Sequence, residues 1–186
     1  DLLVTLGGKT GRDGIHGATF SSGEMTDRTT NVSGSAVQIG NAIEEKRVID
    51  AIQQLSEKRL LRAITDCGAG GYSSAVGEMA ESLGAKVFLE KVPLKYADIM
   101  PWEIFLSESQ ERMVVAIDPK NLTETLSVCK LFNVEAAVIG EIDGSQKLQV
   151  YYGKGMVCDM EMEFLHNGLP KRTMIGKTKR LSQKEK

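Results

Sequence analysis

Apolar positions along the chain switch between a period of two and a period of three to four, and the switches outline its elements. Leu2–Leu6 is a short apolar run and predicts a buried strand. Between Leu60 and Leu83 the pattern predicts strand, sharp turn and helix. Leu61, Ala63 and Ile64 make the strand; Gly68, Gly70 and Gly71 break it; Val76, Met79 and Leu83 form a helical stripe. Gly84 stands where a helix-ending glycine belongs. A second helix follows Gly40-Asn41, with Val48, Ile52 and Leu55 as its apolar stripe and Glu44, Glu45, Lys46 and Arg47 among its solvated residues. Ala85–Leu89 is a short strand, ended near Pro93, which lacks a ladder donor. Pro101-Trp102-Glu103 opens a helical turn, and Met113–Ile117 reads as another buried strand. Asp118-Pro119 starts a helix, Asp as cap and Pro at the first position, with Leu122, Leu126 and Cys129 inward. Val134–Ile142 is a strand, and Asp143-Gly144 predicts a hairpin to Leu148, Val150 and Tyr152. Met156, Cys158, Met160, Met162 and Phe164 alternate with Asp159, Glu161 and Glu163, predicting one half-buried strand with an acidic outer face. These elements make an α+β domain with polar loops at its strand ends.

Composition narrows the class. With 186 residues and 41% hydrophobic content, there is material for one packed domain. A net charge of −2 gives no global attraction for nucleic acid. No apolar run is long enough to span a membrane. Cys67, Cys129 and Cys158 are far apart and form no CxxC pair, so neither a disulfide framework nor a zinc site is indicated; free thiols fit a cytoplasmic setting. The domain is expected over residues 1–170. Residues 171–186, basic and without apolar periodicity, read as a linker or tail. The chain opens on Asp1 directly before an apolar strand, which suggests a domain excised from a longer protein.

Three stretches carry candidate chemistry. Asp66 closes a strand beside a glycine turn that frees backbone amides. Such a place suits phosphate, and a carboxylate there suits the magnesium that accompanies phosphate, although Asp before glycine is also an ordinary turn residue. The loop from Gly7 to Gly17 holds five glycines together with Arg12, Asp13 and His16. It either brings backbone close to a ligand or folds for its own turns. Gly8-Lys9-Thr10 within it is not a P-loop, because Leu3 occupies the required first glycine and no helix follows. Ser107-Glu108-Ser109-Gln110-Glu111-Arg112 places polar groups at the mouth of a core strand, as ligand pocket or plain loop. Gln38 precedes a helix with an amide able to donate and accept.

Four motifs in order, GGKTGRDGIHGATFSS, VQIGNAIEEKR, ITDCGAGG and PWEIFLSESQERM, resemble phosphoribosylformylglycinamidine synthase of purine biosynthesis. The resemblance runs from about Leu2 to Ile117 and is to the C-terminal-type domain of the aminoimidazole ribonucleotide (AIR) synthetase-like proteins. It implies an α+β layered fold, a mixed sheet packed by helices. It implies a parent ligase that uses ATP to phosphorylate the amide oxygen of formylglycinamide ribonucleotide, with ammonia from a glutaminase subunit or domain displacing phosphate. Carried over motif by motif, Asp66 holds Mg2+, while Gln38, Glu108, Ser109 and Gln110 bind substrate. The family's catalytic histidine and ATP-anchoring segment belong to a preceding domain, so no residue of this chain is assigned as catalytic and the isolated domain is expected to be inactive. Asn41 departs from the Asp common in the family at the helix start. The corresponding domain of another synthetase of the superfamily, or a non-catalytic binding module, remains as the alternative.

Overall fold

The computed structural model describes residues 1–15 and 40–176. Seven strands form one mixed sheet: β1 (Leu2–Gly7), β2 (Leu61–Asp66), β3 (Ala85–Phe88), β4 (Arg112–Ile117), β5 (Ala136–Ile142), β6 (Lys147–Tyr152) and β7 (Gly155–Glu161). They lie in the order β2-β4-β1-β5-β3-β6-β7. Every neighbouring pair is antiparallel except β3 and β6.

The central strands are buried on both sides, and their alternation divides the core in two. Val4, Leu6, Val115 and Ile117 face α1 (Ala42–Glu57) and α4 (Leu122–Leu131) through Val48, Ala51, Leu55, Val128 and Cys129. Leu3, Val114, Ile139, Val87 and Val150 face the other way. There they meet α2 (Tyr72–Met79), α3 (Pro101–Leu106) and the first residue of α5 (Met162–Asn167) through Tyr72, Val76, Ile104 and Met162. Successive strand residues point to opposite faces, so one apolar run serves both halves of the core.

Helix α1 starts where Asn41 caps it: the side chain accepts from the Glu44 amide, and Glu44 and Glu45 in the first turn complement the helix dipole. Asn therefore performs the capping task that Asp would perform. Asp118 accepts from the Lys120 amide and opens a 3-10 turn at Pro119–Asn121, one turn ahead of α4.

Four expected features differ in the structure. Asp143-Gly144 makes a turn but not a hairpin, because β3 lies between β5 and β6. The turn instead wraps the start of β3, with the Gln146 amide donating to Leu83 O and the Asp143 amide to Gly84 O. Helix α2 ends at Met79, and Leu83 is exposed beyond it. The inward stripe of α4 is Thr125, Val128 and Cys129, with Leu126 at the boundary of exposure. Strand β7 ends at Glu161; Met162 turns inward as the first residue of α5 and Phe164 is exposed. Of the methionines in that run, Met162 alone is fully buried, and Met156 is half exposed.

These burial differences predict unequal costs for equal truncations. Leu55→Ala removes a fully buried side chain and is expected to cost about 3 kcal/mol. Leu83→Ala is expected to cost less than about 0.5 kcal/mol. Urea denaturation of the two variants measures both.

Candidate functional site

Strand β4 runs between β1 and β2, antiparallel to each, pairing Arg112 with Gly7 and Met113 with Asp66. This register brings three loops to one end of the sheet: Gly8–Ile15 after β1, Cys67–Gly71 after β2, and Ser107–Glu111 before β4. The polar stretches singled out in sequence thus become neighbours, although they are up to a hundred residues apart.

Backbone contacts fix them closely. Gly8 N–H donates to Glu111 O at 2.9 Å, and Cys67 N–H to Arg112 O at 3.0 Å. Glu108 N–H donates to Asp13 O at 2.8 Å. Gly7 and Gly71 both have positive φ, and a β-carbon at either would overlap a carbonyl oxygen, of Glu111 and Ser107 respectively. Asn41 N–H donates to a Glu111 carboxylate oxygen at 2.8 Å, tying the start of α1 to the same loop.

The structure places the expected site residues in different surroundings. Asp66, Ser109 and Gln110 line one cleft of about 330 Å³ between α1 and β2, whose apolar wall includes Ile49, Ile52 and Met113. Gln110 also lines a broader cleft of about 1100 Å³, which runs past Gly8, Lys9, the start of α1 and Arg47. Asp66 is exposed. Glu108 lies beside the cleft, where its carboxylate accepts from the Gly70 amide at 3.1 Å. Gln110 donates from its side-chain amide to Glu108 O at 3.2 Å. The Ser109 hydroxyl is turned inward: it donates to Asp13, accepts from the Gly11 amide at 2.9 Å, and lies 3.0 Å from Ser107 Oγ. Ser109 is 1% exposed, so its hydroxyl shapes the loop from within. Gln38 and His16 lie outside the described residues.

Beneath these groups sits a polar layer that sequence reasoning left unassigned. Arg112 is 3% exposed. Its guanidinium donates to Ser109 O at 2.8 Å, to Thr10 Oγ1 at 2.9 Å and to Ser107 O, and lies 4.7 Å from the centre of the Tyr72 ring. Tyr72 Oη is 2.8 Å from Thr5 Oγ1. Asp13 accepts from Lys95 Nζ at 2.7 Å. A charged residue at the first position of an otherwise apolar strand was the available signal for Arg112, but the pattern does not say which way it turns.

Arg12 anchors the outer side of the glycine loop. Its Nε donates to Glu103 at 2.9 Å, its guanidinium also donates to Asp98 O, and its backbone amide donates to Tyr96 Oη at 2.8 Å. Burial pushes the Glu103 carboxyl up, but hydrogen bonds from Arg12 and from the Met100 amide, with the Arg12 charge, outweigh it and hold it below the usual value. Burial raises the Cys67 thiol to about 11, partly offset by the Arg112 charge, with Asp66 adding to the rise. Cys67 beside Asp66 is therefore a packed thiol rather than a nucleophile.

Comparison with known proteins gives a consistent result. Residues 1–153 match the family model of the AIR synthase related protein C-terminal domain. Phosphoribosylformylglycinamidine synthase subunit PurL of Picrophilus torridus is 42% identical over 167 residues, covering 89% of this chain and 22% of that protein. The structure of T. maritima PurL complexed with FGAR is 34% identical with a TM-score of 0.85, covering all of this chain and 31% of that one. That of T. maritima PurL complexed with ATP is 31% identical, with a TM-score of 0.79 and coverage of 97% and 28%. The chain thus spans about a fifth to a third of the length of these PurL proteins.

The opposing influences on Glu103 give a prediction with a definite sign. Its folded pKa is depressed, so the Arg12 pairing contributes stability above the unfolded carboxylate range and loses it as pH falls through the folded value. In Arg12→Ala, burial loses its main opponent. The Glu103 midpoint, followed by carboxyl carbon NMR, is expected to move upward; an unchanged midpoint contradicts the assignment.

Proposed function

The chain belongs to the AIR synthase related protein C-terminal domain family, and on that premise we propose that it is the substrate- and magnesium-binding domain of a phosphoribosylformylglycinamidine synthase. The parent converts formylglycinamide ribonucleotide, ATP and glutamine to formylglycinamidine ribonucleotide, ADP, phosphate and glutamate in purine biosynthesis. ATP is held mainly by a preceding domain of the same polypeptide, and ammonia comes from a glutaminase subunit or domain. Residues 1–170 are the domain and 171–186 a basic linker or tail. Cytoplasmic residence belongs to the same reading.

The observation that supports it best is the meeting of Asp66 and Gln110 in one cleft, lined by the turn after β2, the segment before β4 and helix α1. Among the described residues no group of three or more His, Cys, Asp or Glu converges to cage a metal. A single exposed carboxylate at a strand end fits magnesium, which commonly takes one or two carboxylates and completes its shell with water and phosphate oxygens. Magnesium held by Asp66 supplies charge neutralisation for phosphate. Gln110, oriented by its bond to Glu108 O, offers an amide to the substrate's polar groups. Glu108, bonded to the Gly70 amide, fixes the glycine turn that carries Asp66. Gln38 contacts the substrate from the segment before α1. The Ser109 hydroxyl is used internally, so this residue contributes to the pocket through the course of its backbone. The chain positions substrate and neutralises charge, the two requirements of phosphoryl transfer.

Calorimetric titration of this chain with formylglycinamide ribonucleotide and Mg2+ tests the assignment. Binding is expected, weakened about tenfold in Asp66→Asn and in Gln110→Ala, in line with loss of a charged or bidentate contact. Absence of binding by the folded chain, or binding by either variant as tight as by the unsubstituted chain, contradicts it. No amidine is expected from the chain alone; its formation would show that the missing domain is dispensable.

A further inference from the structure

The guanidinium of Arg112 is buried in the floor of the cleft, and three of its N–H donors go to three oxygens. Two of these, Ser107 O and Ser109 O, belong to the segment that carries Glu108 and Gln110. The third, Thr10 Oγ1, belongs to the loop after β1. Its charge also rests against the ring of Tyr72, the first residue of α2, and its own carbonyl receives the Cys67 amide next to Asp66. One side chain and its carbonyl thus contact all three converging loops. Arg112 belongs to none of the ion pairs found among the described residues, and its partners there are neutral oxygens and an aromatic face.

A buried ion of this kind is a poor device for stability alone, since apolar side chains of similar size usually serve as well. A planar fork of fixed donors does what an apolar residue or a lysine point charge cannot. It holds several acceptors at set angles to one another. Arg112 also lines the cleft that Asp66 and Gln110 share, so its charge lies close to where an anionic ligand would enter.

We propose that Arg112 is a positioning residue for the substrate site, acting through the Ser107–Glu111 segment to hold Gln110 and Glu108 in place against the Asp66 turn. The inference rests on the reading of Asp66 and Gln110 as ligand-binding residues, but its structural half stands without a ligand.

The test combines amide hydrogen exchange with ligand titration in this chain. In Arg112→Ala, amides of residues 107–111 are expected to lose protection by at least about tenfold, while those in the centres of β1 and β5 keep theirs. Methylguanidinium at millimolar concentration is expected to restore the lost protection, and methylammonium, a charge without a fork, is not. Arg112→Lys is expected to resemble Arg112→Ala in the loop amides. Affinity for formylglycinamide ribonucleotide is expected to fall and recover in parallel with loop protection. If Arg112→Ala does not fold, Thr10→Val carries the test, because it removes one acceptor of Arg112 and otherwise only the long hydrogen bond to Tyr72 Oη; local loss of protection at 107–111 is then expected. Unchanged loop exchange in the folded variants overturns the proposal, as does uniform loss across the whole sheet. Altered exchange with unchanged affinity also overturns it. If the unsubstituted chain binds no nucleotide, the functional reading fails, and the exchange arms still decide whether Arg112 orders the loop.

Discussion

The placement of β4 between β1 and β2 is the constraint on which the rest of the site depends. Its antiparallel register sets Gly7 opposite Arg112 and Asp66 opposite Met113, so the polar loops at three strand ends must meet. Packing of β1 and β4 side chains into separate cores on the two faces of the sheet holds this register. A slip by one residue would move Val4, Leu6, Val115 and Ile117 from one core to the other and turn Arg112 out of its pocket. The same pairing that closes the core therefore assembles the cleft.

The loops have little apolar content of their own, and hydrogen bonds hold them. Buried Arg112, Ser107 and Ser109, with half-buried Asp13, form a polar layer between the sheet and the cleft. Such layers stabilise one arrangement when each member finds its partners and are costly when one is lost. In this layer Ser109 serves as an internal strut while Gln110, its neighbour, lines the cleft. Consecutive residues in one motif thus differ in placement, one turned into the loop and one facing the cleft.

Much of the fold was legible in the sequence because local patterns match local structure. The strand-turn-helix unit around Asp66, the helix opened by Asn41 and the buried strands β1 and β4 were all read from periodicity and capping. The errors lie where distant pairing overrides local signals. Asp143-Gly144 has the chemistry of a hairpin, but β3 intervenes by pairing with both flanking strands. Met156 to Phe164 alternates like a strand throughout, but the backbone turns into a helix at Met162 to bury that side chain. The candidate chemistry was visible as polar residues at strand ends. The assignment of Asp66, Gln38 and Gln110 to particular roles came from motif resemblance, because side-chain type alone does not distinguish a turn residue from a ligand contact. Arg112 and Asp13 were noted within their polar stretches but given no individual role, since no local pattern shows that a charge is turned inward.

The proposed site for magnesium and a nucleotide joins Asp66 and Gln110 in one cleft between helix α1 and the ends of β2 and β4. The most direct measurement is paramagnetic broadening of amide NMR signals by Mn2+, a magnesium substitute, in the presence of formylglycinamide ribonucleotide. Broadening is expected to centre on residues 66–71 and 109–111 and to vanish there in Asp66→Asn. Broadening centred instead on the acidic outer strand at Asp159 and Glu161, or unchanged by Asp66→Asn, would contradict the claim.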